Sequence, residues 1–593
     1  MLKLKKVFYF FLVLIISIPS FISLLNNSYF SMHDDTHVAR LFLLDKGISQ
    51  GYIFPRWVDI MGFNHGYPWF NFYPPLVYYV GEFFHLLGFS LIWSIKLTFI
   101  LGFVLAAYGI FLLIKKFTNK LFAILGSVLY TYFFYHGVLI YVRGALSEFF
   151  SLSILPFVFL GLENLKNKPN LKNSILFAIP IALLILTHPL IAFPTIIYIF
   201  LFVLFYLLVQ SFERLDFLKK GLLSGLIGLS LSAFYWLPSM IERKFTLINS
   251  VFNKELSLYN LHYVCPEQFL TSNWGYGGSI PGCADGLTFQ IGKTHILALL
   301  LSILGVGLLI LQRHSRSARL ANRNWDDSKT KLKYYFFFLF LTFFSIFMTT
   351  QYSSIIWDNI SYLSYLQFPW RFLTFATLFI PITSAYGIYL LFEAVKSKVI
   401  FRHFSLLFII FYSLLVILVV SRYFIPQNYI DKSEKDLISF EEISWRVSKS
   451  TFEFMPIGIK TTRSEFDTTI PNIRMIDIPK EPFEVIQGEA EVKHVENKFM
   501  NKKFLVTSNK NIIFRLNTFN FPGWKAYMDG KEIKISDDND FKLITVNVPK
   551  GDNLLEFKFE NTPVRNTGNI ISWVSLVYVG YLLLSFKLKK IKS

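Results

Sequence analysis

The chain has 593 residues, 53% of them hydrophobic and 18% aromatic, and only 16% charged, against roughly 25% charged in a soluble chain. That balance excludes a soluble globular enzyme, a disordered chain and a small disulfide scaffold, and it leaves a polytopic membrane protein. The 58 basic and 39 acidic residues give a formal charge of +19. Nucleic acid or basic cytoplasmic loops would each explain that excess, so the position of the basic residues decides.

Apolar runs of about 16–24 residues suit a hydrocarbon core ~30 Å thick at 1.5 Å rise per residue. In chain order they predict spans near 7–28, 91–114, 121–137, 149–163, 173–188, 190–209, 221–240, 294–312, 334–351, 372–394, 404–424 and 569–586, about twelve in all. The first follows Lys3, Lys5 and Lys6 like a signal-peptide n-region, but no small-residue cleavage site comes after it, so it reads as an uncleaved anchor.

With the N-terminus inside, Lys115, Lys116 and Lys120 fall on the cytoplasmic side. So do Lys166, Lys168 and Lys172; Arg214, Lys219 and Lys220; the segment from Arg313 to Lys333; Lys396, Lys398 and Arg402; and the tail from Lys587 to Lys592. Every second loop is therefore basic, which explains the charge without a nucleic-acid partner and places both termini in the cytoplasm of a cell-membrane protein.

Segments 29–90, 138–148, 241–293, 352–371 and 425–568 then lie outside. The stretch 75–90, apolar but interrupted by Glu82 and His85, is expected to lie in the interface, since a span there would break the charge alternation. Segment 425–568 changes period. Leu555, Phe557 and Phe559 alternate with Glu556, Lys558 and Glu560, Asp529-Gly530 is a hairpin signal, and Lys550-Gly551 marks a further turn. The expected architecture is a polytopic α-helical membrane domain over 1–424 with outer loops 29–90 and 241–293, a β-sandwich-like outer domain over 425–568, and a final span with a basic tail over 569–593.

The chemistry-bearing residues gather on the outer side. Asp34 and Asp35 stand immediately after the first span, where ionisable groups are costly unless paired or used. His33, His37 and Arg40 crowd the same turns. An i,i+4 pair of histidines beside two carboxylates is compatible with a divalent metal, although no third ligand has an obvious spacing. Trp57, Tyr67, Trp69 and Tyr73 form an aromatic stretch that suits either the interfacial belt or a platform for a sugar ring or lipid headgroup.

Arg143 and Glu148 read as an ion pair or as an anion-gripping arginine with its orienting acid. His188 sits in a Thr-His-Pro turn, and Arg371 opens a span where it snorkels or binds a phosphate. Cys265 and Cys283 share one outer loop, as a disulfide or as two free thiols. No P-loop, nucleotide fold or hydrolytic nucleophile is apparent.

The HDDTH…R start, Pro55–Trp57, Gly66–Leu76, RGALSE, Phe234–Pro238, Trp274–Gly277, Phe289–Gly292 and QFPWRF, in that order, resemble bacterial membrane proteins labelled 6-pyruvoyl-tetrahydropterin synthase-related. Nothing here is similar to a soluble pterin synthase with its zinc-binding histidines. More distantly the layout resembles the GT-C superfamily of integral-membrane glycosyltransferases, and Phe521–Gly530 and Glu453–Pro456 resemble the outer β-domain of bacterial members. The resemblance implies an acidic catalytic motif in the first outer loop, here Asp34-Asp35, and a polyprenyl-phosphate sugar as donor.

The expected function is sugar transfer from that lipid to an envelope polymer, glycolipid or protein acceptor. Asp34 or Asp35 acts as base, Arg143 and Arg371 take the leaving phosphate, and Glu148, His37, His188 and Arg40 assist binding. A transporter or flippase of lipid-linked saccharide, using the same groups as binding sites, is the alternative, and a non-catalytic envelope-assembly protein is a third reading.

Overall fold

The computed structural model describes residues 2–209, 213–251, 258–275, 277–283, 286–316, 325–394, 398–463 and 469–592. The basic stretch 317–324, Lys396 and Tyr276 of the Trp274–Gly277 motif lie outside the described residues.

Apolar helices dominate up to residue 420: α1 (Leu2–Phe21), α2 (His37–Ser49), α3 (Leu76–Leu86), α4 (Leu91–Ile114), α5 (Lys120–Thr131), α6 (Leu146–Asn167), α7 (Leu171–Thr187), α8 (Pro189–Val209), α9 (Arg214–Leu231), α10 (Ala233–Glu242), α11 (Lys293–Arg316), α12 (Trp325–Phe347), α13 (Leu373–Glu393) and α14 (Lys398–Val420). A last helix, α15 (Pro563–Lys592), closes the chain.

Among the described residues nine helices are long and apolar enough to cross a membrane, or eleven if each of two bent pairs is one span. The bends fall after α5, where Phe134–Val142 turns away by 44°, and between α9 and α10, where the turn is 73°. α7, with 17 residues, is the twelfth apolar segment and, at about 1.5 Å per residue, falls just short of a full crossing. The predicted spans are thus all helical, but two are broken and one is short, and the final helix starts at Pro563 rather than near 569. The stretch 75–90, expected at the interface, contains α3, eleven residues with Phe83 and Leu86 exposed and Glu82 buried against α2 and α4.

The strands are β1 (Tyr29–Phe30), β2 (Tyr429–Ile430), β3 (Thr461–Arg463), β4 (Thr469–Pro471), β5 (Phe483–Gln487), β6 (Glu491–Lys498), β7 (Asn501–Ser508), β8 (Ile512–Phe519), β9 (Trp524–Met528), β10 (Lys531–Ile533), β11 (Leu543–Val548) and β12 (Gly551–Phe559). β10-β9-β12-β7-β6 form a five-stranded antiparallel sheet and β11-β8-β5 a three-stranded one. Phe504 and Phe557 of the first sheet meet Phe514 of the second at 5.4 and 5.9 Å between ring centres, so the two sheets face each other over an aromatic core. Asp529 and Gly530 both have positive φ, 48° and 79°, the pair of left-handed residues a type I′ hairpin between β9 and β10 requires.

This β-rich region, flanked by α14 and α15, is seated on the first loop. β1 pairs with β2. Trp57 is buried against Trp524, Phe521 and Phe559, with ring centres 5.4, 6.3 and 5.0 Å away. A buried polar cluster pins the last helix to the same loop. Glu242 accepts from Asn71 at 2.8 Å, Thr562 at 2.6 Å and Arg565 at 2.9 Å, while Arg56 donates to Asn71 at 2.8 Å and Asn569 at 2.9 Å.

Candidate functional site

The site begins with one backbone crossing. The N–H of His33 donates to Val142 O at 3.0 Å and that of Asp34 to Arg143 O at 2.8 Å, which lays the start of the first loop along a π-helical turn, Val138–Val142. Gly144 follows with φ +65°, and a Cβ there would lie 2.3 Å from Met32 Sδ. Only glycine permits both the left-handed turn and this approach. Asp34 and Arg143, 109 positions apart in sequence, therefore share one wall.

That wall belongs to a cavity of about 510 Å³ whose lining includes Asp34, Arg40, Tyr73, Arg143, Glu148, His188, Arg243, Arg371 and Glu453. Arg143 Nη1 donates to Glu148 Oε2 at 2.8 Å and its guanidinium lies 4.7 Å over the Trp370 ring. Glu148 stands in the first turn of α6, where the helix dipole favours a carboxylate. It also accepts from Tyr135 Oη, and Arg371 Nε lies 3.9 Å away. Arg371 Nη1 donates to Leu366 O at 2.5 Å and Gln367 Oε1 at 3.2 Å, but its buried Nε has no hydrogen-bond partner. His188, at the turn between α7 and α8, brings an unpartnered Nδ1 to the same cavity.

The two adjacent aspartates have different surroundings. Asp34 Oδ1 is 2.8 Å from His33 Nδ1 and its side chain is 40% exposed. Desolvation pushes its pKa up, but the His33 hydrogen bond and the Arg143 charge outweigh it and hold the carboxyl down at about 2. The same hydrogen bond raises His33. Asp35 instead accepts from Arg446 Nη1 at 2.6 Å, and Arg446 also pairs with Glu442. Asp35 does not line the cavity; it joins the first loop to the segment that follows β2.

Two sequence-based assignments change, that of His37 and that of the aromatic platform. His37 is buried, with Nδ1 3.1 Å from Tyr78 Oη and Nε2 against Gly144 O, so it supports the turn from behind instead of meeting a ligand. Burial and the neighbouring Arg40 lower its pKa to about 4. Trp57, Tyr67 and Trp69 are fully buried and form no open platform. Trp57 packs on the β-sheets, Tyr67 donates to Thr451 O at 3.0 Å, and Trp69 lies between Arg40 and Phe454. These aromatics are apolar seam residues, and of the four only Tyr73 faces the cavity.

The residues around Asp34 also do not fit a divalent metal. His37 points elsewhere, Asp35 is held by Arg446, and Arg143 and Arg40 supply positive charge where a metal needs donors. Cys265, Glu267 and Cys283 cluster closely, but the two sulfurs are joined in a disulfide and are not available as thiolates.

Glu453, Arg243 and Tyr235 also line the cavity; Tyr235 and Glu453 lie in stretches that carry the family resemblance, whereas Arg243 has no local signal in the sequence. Glu453 arrives from more than 400 positions beyond Asp34, and burial pushes its carboxyl up to about 7, with its own backbone amide and Arg40 pulling the other way.

Residues 70–425 match the profile of the 6-pyruvoyl-tetrahydropterin synthase related domain, described as a membrane protein. An uncharacterized protein of Lactococcus lactis subsp. cremoris (strain MG1363) is 26% identical over 236 residues, 38% of this chain and 38% of that protein. The chain thus matches well under half of that relative's length. Among solved structures, the arabinofuranosyltransferase AftD from Mycobacteria superposes with a TM-score of 0.45 at 10% identity, over 73% of this chain and 28% of that one. The Archaeoglobus fulgidus oligosaccharyltransferase, in complex with Zn and sulfate, gives 0.32 at 15%, over 72% and 54%. The profile covers more than half of the chain, which therefore belongs to the 6-pyruvoyl-tetrahydropterin synthase related family of membrane proteins.

Proposed function

We propose that this protein is a glycosyltransferase that moves a sugar from a polyprenyl-phosphate donor to a cell-envelope acceptor on the outer face of the cytoplasmic membrane. The observation that carries the reading is the single cavity in which an ionised carboxylate, Asp34, stands beside Arg143 and Arg371 at the ends of apolar helices. A lipid-borne phosphate brings its charge to such a boundary while its tail stays in the bilayer.

The acceptor hydroxyl attacks the anomeric carbon, and a new C–O bond forms as the bond from that carbon to the phosphate oxygen breaks. The phosphate leaves with the electron pair, and the hydroxyl proton passes to Asp34. The leaving group changes from a phosphodiester to a phosphomonoester and so gains negative charge. Arg143 and Arg371 are placed to stabilise that gain, with Glu148 holding both guanidiniums and His188 offering its free nitrogen. A positioned base contributes about 10²–10⁴-fold. At a pKa of about 2, Asp34 accepts a proton late, when the attacking oxygen has become acidic by bonding to carbon. An anionic donor beside Arg143 offsets part of the positive field and strengthens the base in the loaded complex.

Transfer from a radiolabelled polyprenyl-phosphate sugar, measured on the full chain in proteoliposomes, tests this. Asp34→Asn should abolish transfer, whereas Asp35→Asn should keep activity and lose stability. Full activity in Asp34→Asn would overturn the reading.

A further inference from the structure

Arg40 differs from the other arginines of the cavity. It is 6% exposed, yet among the described residues no carboxylate lies within ion-pair distance of it. Its Nη1 donates only to the neutral hydroxyls of Tyr73 and Tyr78, at 3.3 and 3.4 Å, and its Nε has no partner. Trp69 and Tyr73 sandwich the guanidinium at 4.6 and 4.8 Å and fix its plane. A buried cation with no carboxylate in contact is costly, Asp34 acts on it only from beyond ion-pair distance, and a fixed guanidinium edge matches a planar or tetrahedral oxyanion.

We propose that Arg40 is the receptor for a second oxyanion, a carboxylate or phosphate group, bound apart from the one received by Arg143 and Arg371. Arg143 already has Glu148 at 2.8 Å, whereas Glu453, the carboxyl that the 450–454 segment brings to Arg40's side, titrates near neutrality and is a weak counter-ion. Thr451, Phe454 and Phe72 complete this side of the cavity with the mixed polar and apolar surface that suits a sugar ring. Two sources share this chemistry: an acidic acceptor glycan, or the second phosphate of a diphosphate-linked donor. Only the assignment to acceptor or donor rests on the transfer reading; the anion site itself does not.

Isothermal titration of the full chain in detergent with glucuronate, inorganic phosphate and inorganic pyrophosphate tests the site. Arg40→Gln should weaken the binding of glucuronate or phosphate by about 10–100-fold, the worth of a charge-assisted hydrogen bond. Arg40→Lys keeps the charge but not the two-pronged edge, should bind at intermediate strength, and carries the test if Arg40→Gln does not fold.

Without anion, Arg40→Gln should melt at or above the wild-type temperature, because it removes a buried charge that has no carboxylate in contact. A merely structural arginine would lower it. Glucuronate binding lost in Arg40→Gln but kept in Arg143→Gln identifies an acidic acceptor. Tight pyrophosphate binding lost in either variant identifies a diphosphate donor. Wild-type affinity for all three anions in both Arg40 variants would overturn the proposal. These are equilibrium measurements, so a failure of sugar transfer leaves them standing.

Discussion

Two neighbouring carboxylates, one peptide bond apart, meet different partners from the turn that leads into α2. Asp34 faces Arg143 and Asp35 faces Arg446. The charge balance around Asp34 depends on Glu148, a buried acid serving two guanidiniums. Glu148→Gln leaves Arg143 and Arg371 buried without compensation, and breaking such a cluster by removing one partner costs about 3–5 kcal/mol. The expected outcome, read by thermal melting in detergent, is a large fall in Tm that added phosphate partly reverses.

Glu453 yields a second prediction. Its carboxyl is raised from 4.5 to about 7, so between those pH values the folded chain holds a proton that the unfolded chain has lost. The stability this contributes is present below about pH 4.5 and declines as pH rises through about 7, by up to about 3 kcal/mol. Glu453→Gln, neutral at every pH, should raise Tm at pH 8 and change it little at pH 4. Tyr67, Arg40 and its own backbone amide lie near this carboxyl; the amide and Arg40 act against the shift, so burial is its cause.

At the scale of elements, Gly144 is the hinge on which the site is built. Gly144→Ala places a methyl 2.3 Å from Met32 Sδ at φ +65°, a left-handed conformation that costs an alanine about 1–2 kcal/mol before the clash is counted. The Asp34 backbone pairing should open, with loss of sugar transfer greater than the loss of stability, measured by parallel activity and melting assays. Much at this scale was legible in advance. Hydropathy located the nine to eleven candidate spans found among the described residues and the shorter α7, because burial in lipid leaves a run of about 20 residues that no local alternative imitates. The two-residue period and Asp529-Gly530 identified the sheets and one of their two-residue turns.

The breaks in two of the spans were not legible, because no helix-breaking residue marks the 44° or 73° bend. The separation of Asp34 from Asp35 was also hidden, since it depends on a π-helical turn more than 100 positions away. Aromatic richness misled for a physical reason. A stacking platform and a domain seam draw on the same residue types, and Trp57, Tyr67 and Trp69 belong to the seam.

That seam organises the whole molecule. The first loop carries Asp34 and Arg40 on one side and Trp57 on the other, and the segment that follows β2 carries Asp35's partner Arg446 before delivering Thr451, Glu453 and Phe454 to the cavity. The cavity is thus finished only when the β-rich region is seated, a dependence on sequence separations of about 400 residues that gives the fold a high contact order. Trp57→Ala tests the coupling without touching the cavity. The indole is fully buried among Trp524, Phe521 and Phe559, and truncating it costs about 3–5 kcal/mol. If seating completes the site, the variant should expose the 425–562 segment to limited proteolysis and lose sugar transfer and Arg40-dependent anion binding together, while α1 to α14 stay protected. Protease-sensitive Trp57→Ala that still binds glucuronate with wild-type affinity would show that the membrane helices and the first loop hold the anion by themselves.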